Sequence, residues 1–173
     1  MRPLSRTKAL VKLKTLKDAF RDRVVREYEH NAKSCITCET KGACCLDAHF
    51  VNVRISRLEA HAMNAAIDMM PAVRRMAVLS RAEMAVETHG LLAAGDTTSK
   101  GYACPLFERD HGCLVHDTGK PLACTAHACY EKKEDLPPDQ MLAVQEGLVE
   151  DLNVQTYGRS QPWLPIPLAI RRQ

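Results

Sequence analysis

Eight cysteines punctuate a chain of 173 residues, and they are not scattered. They fall in two groups, Cys35-x2-Cys38-x5-Cys44-Cys45 and Cys104-x8-Cys113-x10-Cys124-x4-Cys129. Three chemistries compete for such a set. Disulfides suit the even count but not a reducing compartment. Scattered thiols without a role suit neither the density nor the loop-like segments that carry them. Metal ligation suits both, because two sulfurs separated by two residues can face one ion across a tight turn, and thiolates bind zinc, copper(I) and iron–sulfur centres well. The expectation is therefore a thiolate metal site drawing on Cys35, Cys38, Cys44, Cys45, Cys104, Cys113, Cys124 and Cys129.

Spacing alone leaves the metal open. Four thiolates close a tetrahedral zinc site, eight would close two, and four would also hold an iron–sulfur cluster. The adjacent pair Cys44-Cys45 bears on the count. Neighbouring side chains of an extended chain point to opposite sides, so the pair needs a local turn to bind one ion, and otherwise faces two centres or two irons of one cluster. The expectation is that the first group meets the second in one composite site whose metal holds the fold together. His116 and His127 lie inside the second group and are second-rank ligands, or orienters of ligands, because cysteine supply already suffices. His49 is a weaker candidate still.

Helices must carry these loops. Residues 5–30 contain no Pro or Gly, and Leu13, Leu16, Phe20, Val24 and Tyr28 recur at three- and four-residue steps, which predicts one amphipathic helix with a Lys/Arg-rich outer face. "HFVNVRIS" alternates and predicts a short strand. "SRLE" at Ser56–Glu59 has the form of a capping box opening a helix to about Met70. Pro71 suits the start of a further helix that closes at Gly90. Methionines 63, 69, 70, 76 and 84 are expected as core filler rather than as soft ligands. Residues 102–130 contain Pro and Gly and predict turns and short pieces. A last helix opens after Pro137-Pro138 and closes near Gly158. The tail, with Pro at 162, 165 and 167, is expected to be extended and docked through Trp163. The fold class is mainly α: several helices packed around a loop-rich, cysteine-ligated metal site, with at most a short strand or two. A single domain is expected, with a basic N-terminal helix in 1–33, a cysteine-cluster core in 34–130, and a C-terminal helix with a Pro-rich tail in 131–173.

Composition narrows the partners. Net charge is +3, yet residues 1–33 carry ten Lys/Arg against four Asp/Glu, or +6, leaving −3 for the rest. The basic helix is read first as a solvated face and second as a docking site for a protein partner. Nucleic acid is not expected, since no aromatic stacking groups interleave with the charges. No apolar run approaches a membrane span, so no membrane partner is expected. The basic start lacks the apolar core of a signal peptide, and acidic residues follow too soon for a mitochondrial presequence. A cytoplasmic location is therefore expected.

The pattern resembles the YkgJ-like cysteine-cluster family (CxxCxxCC), described as a zinc- or iron-chelating domain. Its elements appear here as "CITCETKGACC", "FVNVRISRLEA" and "CPLFERDHGCLVHDTGKPLACTAHAC". All eight cysteines match in order, as do Pro105, Leu106, Gly112, Val115 and Pro121, over about residues 34–130. The link before the Cys-Cys pair is longer than the family's. His116 stands where the family has Tyr, Lys120 replaces its Arg with Gly119 added before it, and Thr125 replaces the Arg after the cysteine. The resemblance implies zinc or iron held by cysteines, with an iron–sulfur cluster as one form.

Function is accordingly expected to be metal binding through thiolates, with a structural or redox-linked role. The chain has no Gly-rich phosphate loop, HExxH or nucleophile elbow, which leans against an enzyme. Two alternatives stand beside it. One is an iron–sulfur-dependent enzyme or accessory of redox or methyl-transfer type, since similar cysteine-cluster domains occur attached to protein-lysine methylation functions. The other is a metal-stabilised interaction module using the basic helix.

Overall fold

Ser5 starts the first helix. Its extended backbone turns the chain, and its Oγ accepts the N–H of Lys8. The helix that follows, α1 (Arg6–Glu27), buries Ala9, Leu13, Phe20 and Val24 in one stripe. Leu16 and Tyr28 are half-buried at its margin, and a 3-10 turn at Glu29–Asn31 ends it. The molecule is described by a computed structural model that covers residues 3–33, 42, 45–46, 52–93, 100–127, 129–130 and 132–171, with only the backbone of Cys129. Cys35, Cys38, Cys44, the side chain of Cys129, His49, the start of the expected strand at 50–51 and most of the loop at 94–99 lie outside the described residues.

The chain divides into two compact units. The first comprises Met1–Glu39 and Pro121–Gln161. In it, α1 packs against α4 (Leu122–Thr125) and α5 (Asp139–Tyr157), while α4 also touches α5. Buried Leu122, Met141, Val149 and Leu152 complete its apolar interior. A two-residue pairing joins β1 (Ala32–Lys33) antiparallel to β5 (Cys129–Tyr130). As expected, α5 begins after Pro138 and ends at Gly158.

The second unit comprises Thr40–Lys120 and Pro162–Gln173. Its long helices are α2 (Arg57–Asp68) and α3 (Ala72–His89). The capping box forms: Ser56 Oγ accepts the Glu59 N–H, and a Glu59 carboxylate oxygen accepts the Ser56 N–H, each at 3.2 Å and both residues buried. At the far end of α3, Lys100 Nζ donates to the His89 carbonyl at 2.8 Å, satisfying a helix-end acceptor. Two more short pairings belong to this unit: β2 (Arg54–Ile55) with β6 (Leu164–Pro165), and β3 (Phe107–Glu108) with β4 (Gly112–Cys113).

The tail differs from its expected form. Residues Ile166–Ile170 close one more helix, α6, with Pro167 in its first turn, where a missing N–H costs nothing. This helix packs on α2 and α3 and buries Ile166 and Ile170 among Ile55, Met63, Ile67, Val78, Leu106 and Val115. Trp163 contributes its carbonyl, which accepts Arg54 Nε at 3.0 Å. Tyr102, fully buried, ties three segments: its hydroxyl donates to Val53 O and accepts the Ile166 N–H, each at 3.1 Å. The methionines also divide. Met63 is core and Met70 lies against it, but Met69, Met76 and Met84 are exposed, being on helix faces that no described element covers.

The architecture is mainly α, as expected, with six helices among the described residues and strands of two residues each. No described helix is long and apolar enough to cross a membrane.

Candidate metal centre

Cys104 opens the tight turn Cys104-Pro105-Leu106-Phe107. The Phe107 N–H reaches back to the Cys104 carbonyl at 3.1 Å, and the backbone N–H groups of Leu106 and Phe107 both point at the Cys104 sulfur. Two N–H donors on one sulfur favour its anionic form. They are outweighed by burial, which pushes the thiol up to about 12, and the neighbouring Cys113 adds to the rise. A metal ion would supply the positive charge that lets this thiol ionise.

Cys113 returns on the other arm of a hairpin, directly opposite Phe107. The loop Arg109–His111 makes the reversal. Asp110 takes a positive φ of 69°, and Gly112 follows at 82°, a conformation that glycine adopts without strain. Both sulfur-bearing residues rest against the apolar cluster of Leu106 and Val115, so the hairpin is anchored from below.

The first cysteine group reaches this hairpin through backbone. Cys45 O accepts the Cys104 N–H at 2.9 Å, and Cys45 N–H donates to Gly42 O at 2.8 Å. Gly42, with φ 78°, lies against the Phe107 ring so closely that a Cβ there would overlap it. The turn ending at Cys45 is thus held on the hairpin at both ends.

Helix α3 braces the same region. Arg81 Nε donates to Pro105 O at 2.9 Å, while its Nη2 is buried with no hydrogen-bond partner among the described residues. Arg74 Nε pairs with Glu108 at 3.0 Å, and His111 Nδ1 lies 3.4 Å from the same carboxylate.

Cys124 and Cys129 belong to the first unit. Cys124 sits half-buried in α4, which starts at Pro121 and is tightened by Thr125 Oγ1 donating to Pro121 O at 3.1 Å. Cys129 lies in β5 opposite Lys33, two residues before Cys35 in sequence. His116 and His127, the second-rank candidates, are both exposed. Among the described residues no three His, Cys, Asp or Glu side chains converge on one ion. Four of the eight cysteine side chains lie outside that set.

Sequence reasoning missed Arg81 and Gly42. Neither has a motif; one is selected by an orphaned buried donor, the other by contact with a ring 65 positions away in sequence, and both appear only in three dimensions. In comparisons with family models, curated proteins and solved structures, nothing matches this chain.

Proposed function

We propose that this protein binds zinc or iron through cysteine thiolates, in a structural or redox-linked centre, and works in the cytoplasm, where thiols stay reduced. The observation that carries the reading is the Cys104 turn. Two backbone N–H groups aimed at one sulfur, a second cysteine across the hairpin and a buried guanidinium nitrogen with no acceptor among the described residues would together help hold a metal-bound thiolate, although burial alone keeps the thiol neutral. The resemblance to the zinc- or iron-chelating family points the same way. All eight cysteines remain the ligand candidates, with an iron–sulfur cluster as one form.

Anaerobic purification followed by metal analysis and visible spectroscopy tests it. Brown protein with iron and labile sulfide assigns an iron–sulfur centre, and colourless protein with stoichiometric zinc assigns zinc. Protein that holds neither metal, and takes up neither on anaerobic reconstitution, overturns the proposal.

The reading of α1 as a partner-binding surface keeps one supporting observation: Lys8, Lys12, Arg21, Arg23 and Arg26 are exposed along it. Three of these five approach acidic neighbours on the same helix, Asp18, Asp22 or Glu27, which lessens the field they project. Because α1 also carries buried core residues, the test is Lys8→Glu with Lys12→Glu rather than deletion. Loss of partner capture with unchanged metal content supports the surface, and unchanged capture removes it.

A further inference from the structure

We infer that the partner of the basic helix is a second copy of this chain: the outer face of α1 in one copy packs on the outer face of α5 in the other, and the reverse contact forms at the same time. The inference rests on the reading of α1 as an interaction surface and names what it meets. Both helices belong to the first compact unit. A two-fold axis between two such units makes the contact twice, as isologous dimers do.

On α5, Ala143, Val144, Gly147, Leu148, Asp151 and Val154 line the exposed side at three- and four-residue steps. Val144 is 50%, Leu148 45% and Val154 37% exposed, on the side of an amphipathic helix where polar residues are the rule. Gly147 sits in mid-helix, where glycine weakens a helix, and a Cβ there would meet no other segment within 4 Å. No packing among the described residues asks for glycine at this point, and a side chain from outside can enter the gap. On α1 the matching knob is Val11, 63% exposed and set among the exposed Lys8, Lys12 and Thr15.

Charge selects the occupant. Helix α5 carries Asp139, Glu146, Glu150 and Asp151 and no Lys or Arg, a net charge of −4, whereas α1 carries eight Lys/Arg against three Asp/Glu, or +5. Two α1 faces, or two α5 faces, would repel, and α1 against α5 attracts. Lys8, Lys12 and Asp151 make no ion pair among the described residues, so these charges are left for a partner to meet. The register follows from the chain itself. Leu4 N–H donates to Gln155 O at 2.9 Å, which sets the start of α1 beside the end of α5, and the two helices pack on each other. Counting up α1 and back along α5 from that bond, at equal rise, puts Lys8 level with Asp151, Val11 with Leu148, Lys12 with Gly147 and Thr15 with Val144. A two-fold axis parallel to the helices preserves these levels. Lys8 then meets the partner's Asp151, and Val11 enters beside the partner's Gly147.

Sedimentation equilibrium of the full-length protein at tens of micromolar tests the assignment. The wild type is expected to be a dimer that weakens as salt is raised. K8E/K12E and D151K should each be monomeric, because each brings like charges together. Mixed in equal amounts, the two variants should form a heterodimer, since each then meets the opposite charge on the other. G147L should be monomeric with unchanged helix content by circular dichroism, because the added side chain meets no other segment of its own chain. Metal content should match the wild type in every variant. A monomeric wild type, a K8E/K12E protein that stays dimeric, or a mixture that stays monomeric overturns the second copy as the partner. Capture of a different partner by the wild type and not by K8E/K12E would then leave α1 an interaction surface, and equal capture removes that reading as well.

Discussion

Cys104 shows how one residue's chemistry depends on what the fold places around it. In the metal-free protein its thiol is held near 12, against an ordinary value near 9, because burial disfavours the anion. The unfolded chain therefore ionises first as pH rises. Stability from this group is fully present below about pH 9 and is lost as pH climbs towards 12. Urea unfolding of metal-free protein should show a falling midpoint above pH 9, and C104S should flatten that fall. With metal bound the sign reverses, since protons then compete with the ion and stability drops as pH falls. Gly42 is a second residue of this kind. G42A adds a methyl against the Phe107 ring at a positive φ and should cost roughly 1–3 kcal/mol in thermal or urea unfolding. Tyr102→Phe deletes a buried hydroxyl that bonds Val53 and Ile166, with an expected loss of about 1–2 kcal/mol.

Among the elements, the helices were the legible part. Ser5, the Ser56–Glu59 box, Pro71, Gly90, Pro138 and Gly158 all sit where their local chemistry directs, because caps and breakers act within four residues. S56A should remove the Glu59 N–H acceptor and cost about 1–2 kcal/mol, with helix content otherwise kept by circular dichroism. The tail was not legible in the same way. Three prolines suggested an extended segment, yet Ile166 and Ile170 face the core once α6 turns, which depends on α2 and α3 being present to receive them. Ile170→Ala should therefore destabilise by roughly 2–5 kcal/mol, a core-sized effect from a residue of the Pro-rich tail. The small effect expected of a loose tail would show that α6 is not docked in solution. Of the two-residue strands only β2 falls within the alternating stretch at 49–56; the β1–β5 and β2–β6 pairings join segments far apart in sequence, and the short β3–β4 hairpin has too few residues to show a period.

On the scale of the whole molecule, sequence order and spatial grouping part company. The cysteines read as a first four and a second four, but the compact units take two from each. If the proposed thiolate centre is structural, chelation at neutral pH should lower stability, and circular dichroism with hydrogen exchange would show which unit loosens. Exchange confined to one unit would mean that its partner stands without metal.

From the sequence alone came the helices and a chemical expectation: eight thiols at spacings that suit thiolate ligands, and the caps, prolines and glycines that bound each long helix. These are local matters of residue type and short-range geometry. How the Cys45 turn meets the Cys104 hairpin, where Arg81 is held and how the tail becomes core depend on contacts between residues tens of positions apart. Such contacts leave no local pattern, because the hydrogen bond from Cys104 to Cys45, or the seat of Gly42 on Phe107, exists only after the chain has folded back on itself.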